Sequence, residues 1–304
     1  MENNLLSLQN RIKDLKIKRN AIILAHNYQP AEVQDIADFV GDSLELSQKA
    51  AMSDATTIVF CGVHFMAETA VILCPEKKVL MPEVNAGCPM ANMITVEGLK
   101  SLKRAYPNAK VVCYVNTKAE VKAESDICCS SSNAVKVVES IRDHEIIFIP
   151  DKYLAHYVYT KTGKKIISWH GYCPTHAKIL PEHIMRQKKI HPQAEVIVHP
   201  ECAPTTIALA DRVLSTGGMC KYARESKVRE MIIGTETSIL HRLRKENPEK
   251  EFYPASELAI CPNMKMTTIE KVLWSLQDMS TEIKIPYDIR FRAKAAVDKM
   301  LEIS

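Results

Sequence analysis

Three cysteines share one local setting although they lie far apart: Cys88 in "NAGCPMANM", Cys173 in "GYCPTH" and Cys261 in "AICPNMK". Each is followed by proline, which confines the cysteine to extended backbone and can open a helical turn. They are separated by 85 and 88 residues, so none has the close C-x-x-C partner of a zinc knuckle or a cluster carrier. Three thiolates meeting from distant parts of the chain would suit zinc, or an iron–sulfur cluster that leaves one iron open as a Lewis acid. Three equivalent buried thiols without metal are the alternative.

The same two offsets recur elsewhere. "AIILAHNY", "KVVCYVN" and "EVIVHPE" align at shifts of 88 and 85, placing His26, Tyr114 and His199 in one column. Tyr28, Asn116 and Glu201 form the column two residues on, and Asp38, Asp126 and Asp211 form another. Ser43, Ser131 and Thr216 form a fourth, each opening a helix-like stretch, where they read as N-caps. Each unit continues into a second β-branched run, another helix-like stretch and a third run ("KKVLMP", "KKIISW", "KEFYP"). Alternation of this kind predicts parallel sheets with crossover helices.

The expected fold is therefore α/β: three homologous units with parallel sheets, whose equivalent positions would converge if the units pack around a pseudo-threefold axis. The boundaries are 1–87 with an N-terminal helix, 88–172 and 173–260, with 261–304 carrying the last cysteine and closing helices. Leu5, Leu8, Ile12 and Leu15 give the N-terminal helix one apolar face. In the closing segment Thr267 and Glu270 read as a capping box before Ile269, Val272, Leu273 and Leu276.

Residues at the C-terminal ends of parallel strands face the ligand crevice, and positions i and i+2 point the same way. The strand-end columns can thus line one cavity. Helix N-termini beside it would present N–H groups to carboxylate or phosphate, with Gly217 and Gly218 allowing close approach. A small, multiply anionic substrate is expected. No phosphate-loop or dinucleotide-binding fingerprint is present.

Composition narrows the class further. With 46% hydrophobic and 25% charged residues and a formal net charge of +4, nothing calls for nucleic acid or an anionic membrane. The cluster Arg242-Leu243-Arg244-Lys245 reads as a solvated helix face. The chain contains no apolar run of about 20 residues and no signal-peptide pattern at its start, so a cytoplasmic protein is expected. Ten cysteines in a reducing compartment argue against structural disulfides. Cys61, Cys74 and Cys113 read as small core residues, and the adjacent Cys128 and Cys129 as buried thiols.

"ILAHNYQPAEVQDIADFVGDSLELS", "CPMANM", "YVNTKAEVKAESD", "SSSNAVKVV", "HPEC", "STGGM" and "CPNMK" together closely resemble the quinolinate synthase (quinolinate synthetase A) family, from about Asn20 to Lys265. The resemblance implies three homologous three-layer αβα sandwich domains around a pseudo-threefold axis, with a [4Fe–4S] cluster held by Cys88, Cys173 and Cys261. It implies condensation of iminoaspartate with dihydroxyacetone phosphate to quinolinate, phosphate and water, the source of the pyridine ring of NAD. It further implies a substrate cavity lined by His26, Ser43, Tyr114, Asn116, Ser131, His199, Ser215 and Thr216. Glu201 would be general acid/base, with Tyr28 assisting tautomerisation and His26 and His199 beside them. His176, three residues after Cys173, would lie near cluster or substrate. Some members carry histidine just before the second cysteine, where this chain has Tyr172, with His170 nearby. A transient contact with the iminoaspartate-producing enzyme is the one protein partner this reading allows. Its rivals are a cluster hydro-lyase for another hydroxy acid, a zinc enzyme and an electron-transfer or cluster-carrier protein. The last predicts a fourth cysteine ligand.

Overall fold

The computed structural model describes residues 2–142 and 145–303. An N-terminal helix α1 (Glu2–Lys18) leads into β1 (Ala21–His26), α2 (Ala31–Ile36), β2 (Phe39–Gly41), α3 (Ser43–Met52), β3 (Thr57–Cys61), α4 (His64–Leu73) and β4 (Lys78–Leu80). The second run comprises α5 (Val96–Ala105), β5 (Lys110–Tyr114), α6 (Ala119–Lys122), β6 (Ile127–Cys129), α7 (Ala134–Ser140), β7 (Glu145–Ile149), α8 (Lys152–Thr162) and β8 (Lys165–Ser168). The third repeats it with α9 (Pro181–Ile190), β9 (Glu195–Val198), α10 (Pro204–Ile207), β10 (Arg212–Val213), α11 (Thr216–Glu225), β11 (Glu230–Gly234), α12 (Ile239–Glu246) and β12 (Glu251–Pro254). Helices α13 (Ile269–Asp278) and α14 (Tyr287–Glu302) close the chain.

The strands form three four-stranded parallel sheets of one topology: β2-β1-β3-β4, β6-β5-β7-β8 and β10-β9-β11-β12. Their central strands are buried along most of their length, which is why they read as unbroken apolar runs rather than alternating ones.

The aspartate column has a structural task. Asp38, Asp126 and Asp211 each accept, at 2.8 Å, the backbone N–H of Ile23, Val111 and Val196 on the first strand of their unit. Their own N–H groups donate back to the carbonyls of the same three residues. A second device escapes a fixed-offset comparison. Lys77, Lys164 and Lys250, each just before a unit's last strand, donate to the carbonyls of Ser53, Ile141 and Ser226 at the C-caps of α3, α7 and α11. A cation there satisfies orphan carbonyls and opposes the negative helix end.

Helices α5, α9 and α13 begin at equivalent positions, Val96, Pro181 and Ile269, but serve different units. Helix α5 lies against the second unit, with Gly98 under Trp169, and α9 packs on β11 of the third. Helix α13 returns to the first: Ile269, Val272, Leu273 and Leu276 share a core with Ile12 of α1 and with Ile23 and Val59 of the first sheet. Helix α14 then packs across α4, α6 and β6, burying Ala293, Ala296, Val297 and Met300. The chain thus closes a ring of three units.

Some expectations need correction. Leu5 is exposed, while Ile12 is buried and Leu8 and Leu15 pack beside it, because α1 offers only its later turns to the sheet. The cap of α13 is Thr268, whose Oγ1 accepts the N–H of Lys271. Thr267 is buried one residue earlier. The Arg242–Lys245 face is not simply solvated. Leu243 is core, and Arg242 donates to the Asn27 side chain of the first unit.

Candidate active site

Asp42 of the first unit, Ser132 of the second and Ser215 of the third meet in one hydrogen-bonded knot. The Ser132 hydroxyl lies 2.6 Å from Asp42 Oδ2 and 2.9 Å from Ser215 Oγ. Asp42 Oδ1 also accepts the N–H groups of Leu44 and Glu45, and Glu45 returns a bond to the Asp42 N–H, a complete capping box. Ser215 caps α11 by accepting the Gly218 N–H. The true caps therefore stand one residue before Ser43 and Thr216. Asn133, not Ser131, occupies the cap position of α7. The shift matters chemically, because it releases Ser43, Ser131 and Thr216 from capping. All three line the central cavity, whereas Ser215 stays behind them in the knot.

That cavity, of about 190 Å³, is walled by all three units. It is lined by His26, Tyr28, Ser43, Tyr114, Asn116, Ser131, His199, Glu201 and Thr216, every predicted substrate residue except Ser215. Cys88, Cys173 and Cys261 line it too, and His176 stands among them. The other seven cysteines do not, and all ten are free thiols. Cys128 and Cys129 are buried in β6.

Each cavity cysteine precedes proline and then a 3-10 turn: Met90–Asn92, His176–Lys178 and Asn263–Lys265. Backbone N–H groups of those turns point at the sulfurs, from Met90 and Ala91 to Cys88, His176 to Cys173, and Asn263 and Met264 to Cys261. Desolvation nonetheless pushes the Cys88 thiol up to about 12 and also raises Cys173 and Cys261. Without a cation these groups keep their protons; a bound metal would displace them. Three soft donors with hydrogen-bonded sulfurs fit an iron–sulfur or zinc centre. A second donor set overlaps it, since ligand atoms of Cys173, His176 and Glu201 lie within 4.8 Å of one another.

Glu201 is the hub of the polar wall. Tyr114 Oη donates to its Oε1 at 2.6 Å, and His176 Nδ1 lies 2.8 Å from its Oε2. Burial alone would raise its pKa, but His176, His199 and Tyr114 hold it down to about 2, so it is a carboxylate. Burial, reinforced by Glu201, drives the Tyr28 and Tyr114 phenols well above the usual range, so both remain donors. His26 Nδ1 accepts the N–H of Tyr28, and His199 Nδ1 that of Glu201. Neutral rings fixed in this way carry their proton on Nε2, which for His199 faces Ser131 Oγ at 3.2 Å. Among the described residues Asn116 Oδ1 is buried without a hydrogen-bond partner, on a side chain that lines the cavity. The site thus offers several donors, one fixed carboxylate and three sulfurs.

The described chain matches the quinolinate synthetase A protein family over residues 10–302. It belongs to that family. Quinolinate synthase of Dehalococcoides mccartyi is 60% identical over 296 residues, covering 97% of this chain and 98% of that protein. Proteins of the same name from Methanosarcina barkeri and Thermodesulfovibrio yellowstonii are each 57% identical, over 293 and 290 residues, covering 96% and 95% of this chain and 96% of each relative. Among the described residues of this quinolinate synthetase A family member, no helix is long and apolar enough to cross a membrane.

Sequence reasoning missed Asp42, Thr235 and the apolar lining from Val63, Phe65 and Met66. Asp42 had a signal, standing directly before Ser43 where a cap is expected. Thr235, behind Tyr28 and His176, had none.

The buried histidines set a pH dependence. Burial lowers His26 from 6.5 to about 4 and His199 to about 3. The unfolded chain therefore binds more protons below pH 6.5, and stability falls as pH drops from there toward 3. Glu201, lowered from 4.5 to about 2, extends the loss to lower pH. Melting temperatures of the metal-free chain should decline steadily from pH 6.5 to 4, and His26→Gln should flatten that slope.

Proposed function

We propose that this chain is a quinolinate synthase acting in NAD biosynthesis, condensing iminoaspartate with dihydroxyacetone phosphate to quinolinate, phosphate and water. The reading is carried by one observation: three distant cysteines and the Glu201 web share a single cavity. The site chemistry agrees with a dicarboxylate and a phosphate ester as substrates. The caps of α3 and α11 meet at the knot with Ser132, and Ser43, Ser131 and Thr216 leave hydroxyls in the cavity wall for anionic oxygens.

Cys88, Cys173 and Cys261 would hold a [4Fe–4S] cluster. When bound, such a cluster supplies an open iron that polarises oxygen or nitrogen and eases departure of hydroxyl groups. Glu201, ionised and within reach of two donors, takes protons from carbon and returns them to leaving oxygens. Tyr28 and Tyr114 keep their phenol protons for carbonyl or imine groups as tautomers interconvert. His26 and His199, neutral and with Nδ1 occupied by backbone, orient carboxylate through Nε2. The apolar side of the cavity, from Val63, Phe65 and Met66, limits water around the hydrolysable imine.

A second reading, one zinc ion on Cys173, His176 and Glu201, draws on the overlap of those ligand atoms. It leaves Cys88 and Cys261 without a task. The deciding experiment is anaerobic cluster reconstitution, elemental analysis and incubation with both substrates. Quinolinate from a brown, iron-containing sample supports the proposal. A colourless zinc-containing protein, or an iron-loaded one that forms no quinolinate, rejects it.

A further inference from the structure

Lys178 ends the 3-10 turn after Cys173, and it is exposed to solvent while it lines the central cavity. The only other exposed residues among those lining the cavity are Pro89 and Pro262, on the remaining two cysteine turns. The mouth of the cavity therefore lies at the three turns, and Lys178 stands on its rim.

Its charge is alone there. Lys178 is the one lysine or arginine in a wall that also carries the carboxyl side chains of Asp42 and Glu201. The three cysteines add negative charge once they hold a metal, because the ligand is the thiolate. Small dianions must pass this wall to reach the hydroxyls of Ser43, Ser131 and Thr216. Among the described residues the Lys178 ammonium has no hydrogen bond or ion pair. Lys265, on the third turn, is committed: it donates to the Tyr28 carbonyl and to Ser238, and pairs with Glu236 at 2.7 Å. Lys178 thus remains free to meet an incoming anion.

The fold does not ask for a cation at this position. The repeat offsets of 85 and 88 carry Lys178 back to Met93 and forward to Met266. Neither methionine lines the cavity. Met266 packs against the core, and Met93 serves as an acceptor, its carbonyl taking the indole N–H of Trp169. One repeat position is therefore apolar and structural in two turns, and cationic and turned to the cavity in the third.

We propose that Lys178 is a specificity-determining residue at the cavity mouth, whose ammonium draws the small dianionic substrates past a negatively charged wall and favours them over neutral analogues. This inference rests on the reading of the site given above. One unit charge facing a dianion through water is worth about threefold to tenfold in affinity. The loss should fall on KM and on binding rather than on kcat, because Lys178 stands at the rim and the proton-transfer groups stand inside.

The test is a charge series at one position. Lys178→Arg keeps the cation, Lys178→Met supplies the residue found at both equivalent positions, and Lys178→Glu reverses the charge. Each is prepared as cluster-loaded protein with iron content recorded, and binding of dihydroxyacetone phosphate is measured by calorimetry without the second substrate. At low ionic strength the methionine variant should bind about threefold to tenfold more weakly, and the glutamate variant about tenfold to a hundredfold. Arginine should stay within about twofold of the parent. KM for dihydroxyacetone phosphate should follow the same order, and in about 1 M salt, where charges are screened within about 3 Å, the methionine variant should approach the parent. A structural role would give losses that do not follow charge and do not shrink with salt. That pattern overturns the inference, as does a glutamate variant that binds like the parent. A parent chain that carries iron but neither binds dihydroxyacetone phosphate nor forms quinolinate rejects the proposed function, and this inference with it. Parent binding with an indifferent charge series rejects only the role of Lys178.

Discussion

Cys88→Ser, Cys173→Ser and Cys261→Ser should each emerge from anaerobic reconstitution without a cluster. Iron should fall from about four per chain to nearly none, with loss of the brown absorbance and of quinolinate formation. Cys74→Ser is the control. Cys74 is also followed by proline, but it is buried away from the cavity and outside the repeat register. It should retain iron and turnover. The contrast is sharp because a three-ligand centre has no spare donor, and serine is a harder, less acidic ligand than thiolate. Equal behaviour of all four variants would sever the link between repeat position and metal.

Glu201→Gln should leave iron content unchanged and lower kcat by about a hundredfold to ten-thousandfold, the range for a lost general acid/base. Glutamine can still accept from Tyr114, so the cavity wall survives, but it cannot take a proton. Its buried amide would put a donor where a carboxylate oxygen now lies 2.8 Å from His176 Nδ1. The readout is kcat per iron at saturating substrates. Activity within tenfold of the parent would remove Glu201 from the proton-transfer role and leave it an anchor for Tyr114 and His176.

Much of this arrangement could be read from the linear chain because the repeat keeps its register where chemistry is concentrated. His26, Tyr114 and His199 hold one offset pair, as do the three cysteines, and their columns reach a common cavity. The N-caps stand one residue before the expected positions at Asp42-Ser43 and Ser215-Thr216, where two adjacent side chains are each competent to cap. Only the backbone dihedrals at the helix start choose between them. The lysine clamps at 77, 164 and 250 drift by a residue between units, which hides them from a constant shift. Thr235 was invisible for a different reason. A threonine after a strand is unremarkable, and its partner is a tyrosine 207 positions earlier in the chain.

The return of α13 to the first sheet has a bearing on how the protein is made. Synthesis proceeds from the N-terminus, so the first unit is the earliest to appear and the last to be finished. Until Ile269 to Leu276 arrive, Ile23 and Val59 lack part of their cover, and the third cysteine turn, just before α13, is held by its own bonds, Asn263 to the Gly87 carbonyl and Lys265 to Tyr28 and Glu236. A nascent chain that ends before Cys261 presents only two of the three cavity sulfurs. On the proposed reading the third ligand is thus made only with the last segment of the chain, so a cluster could not be loaded into a protein whose synthesis has stopped short of it.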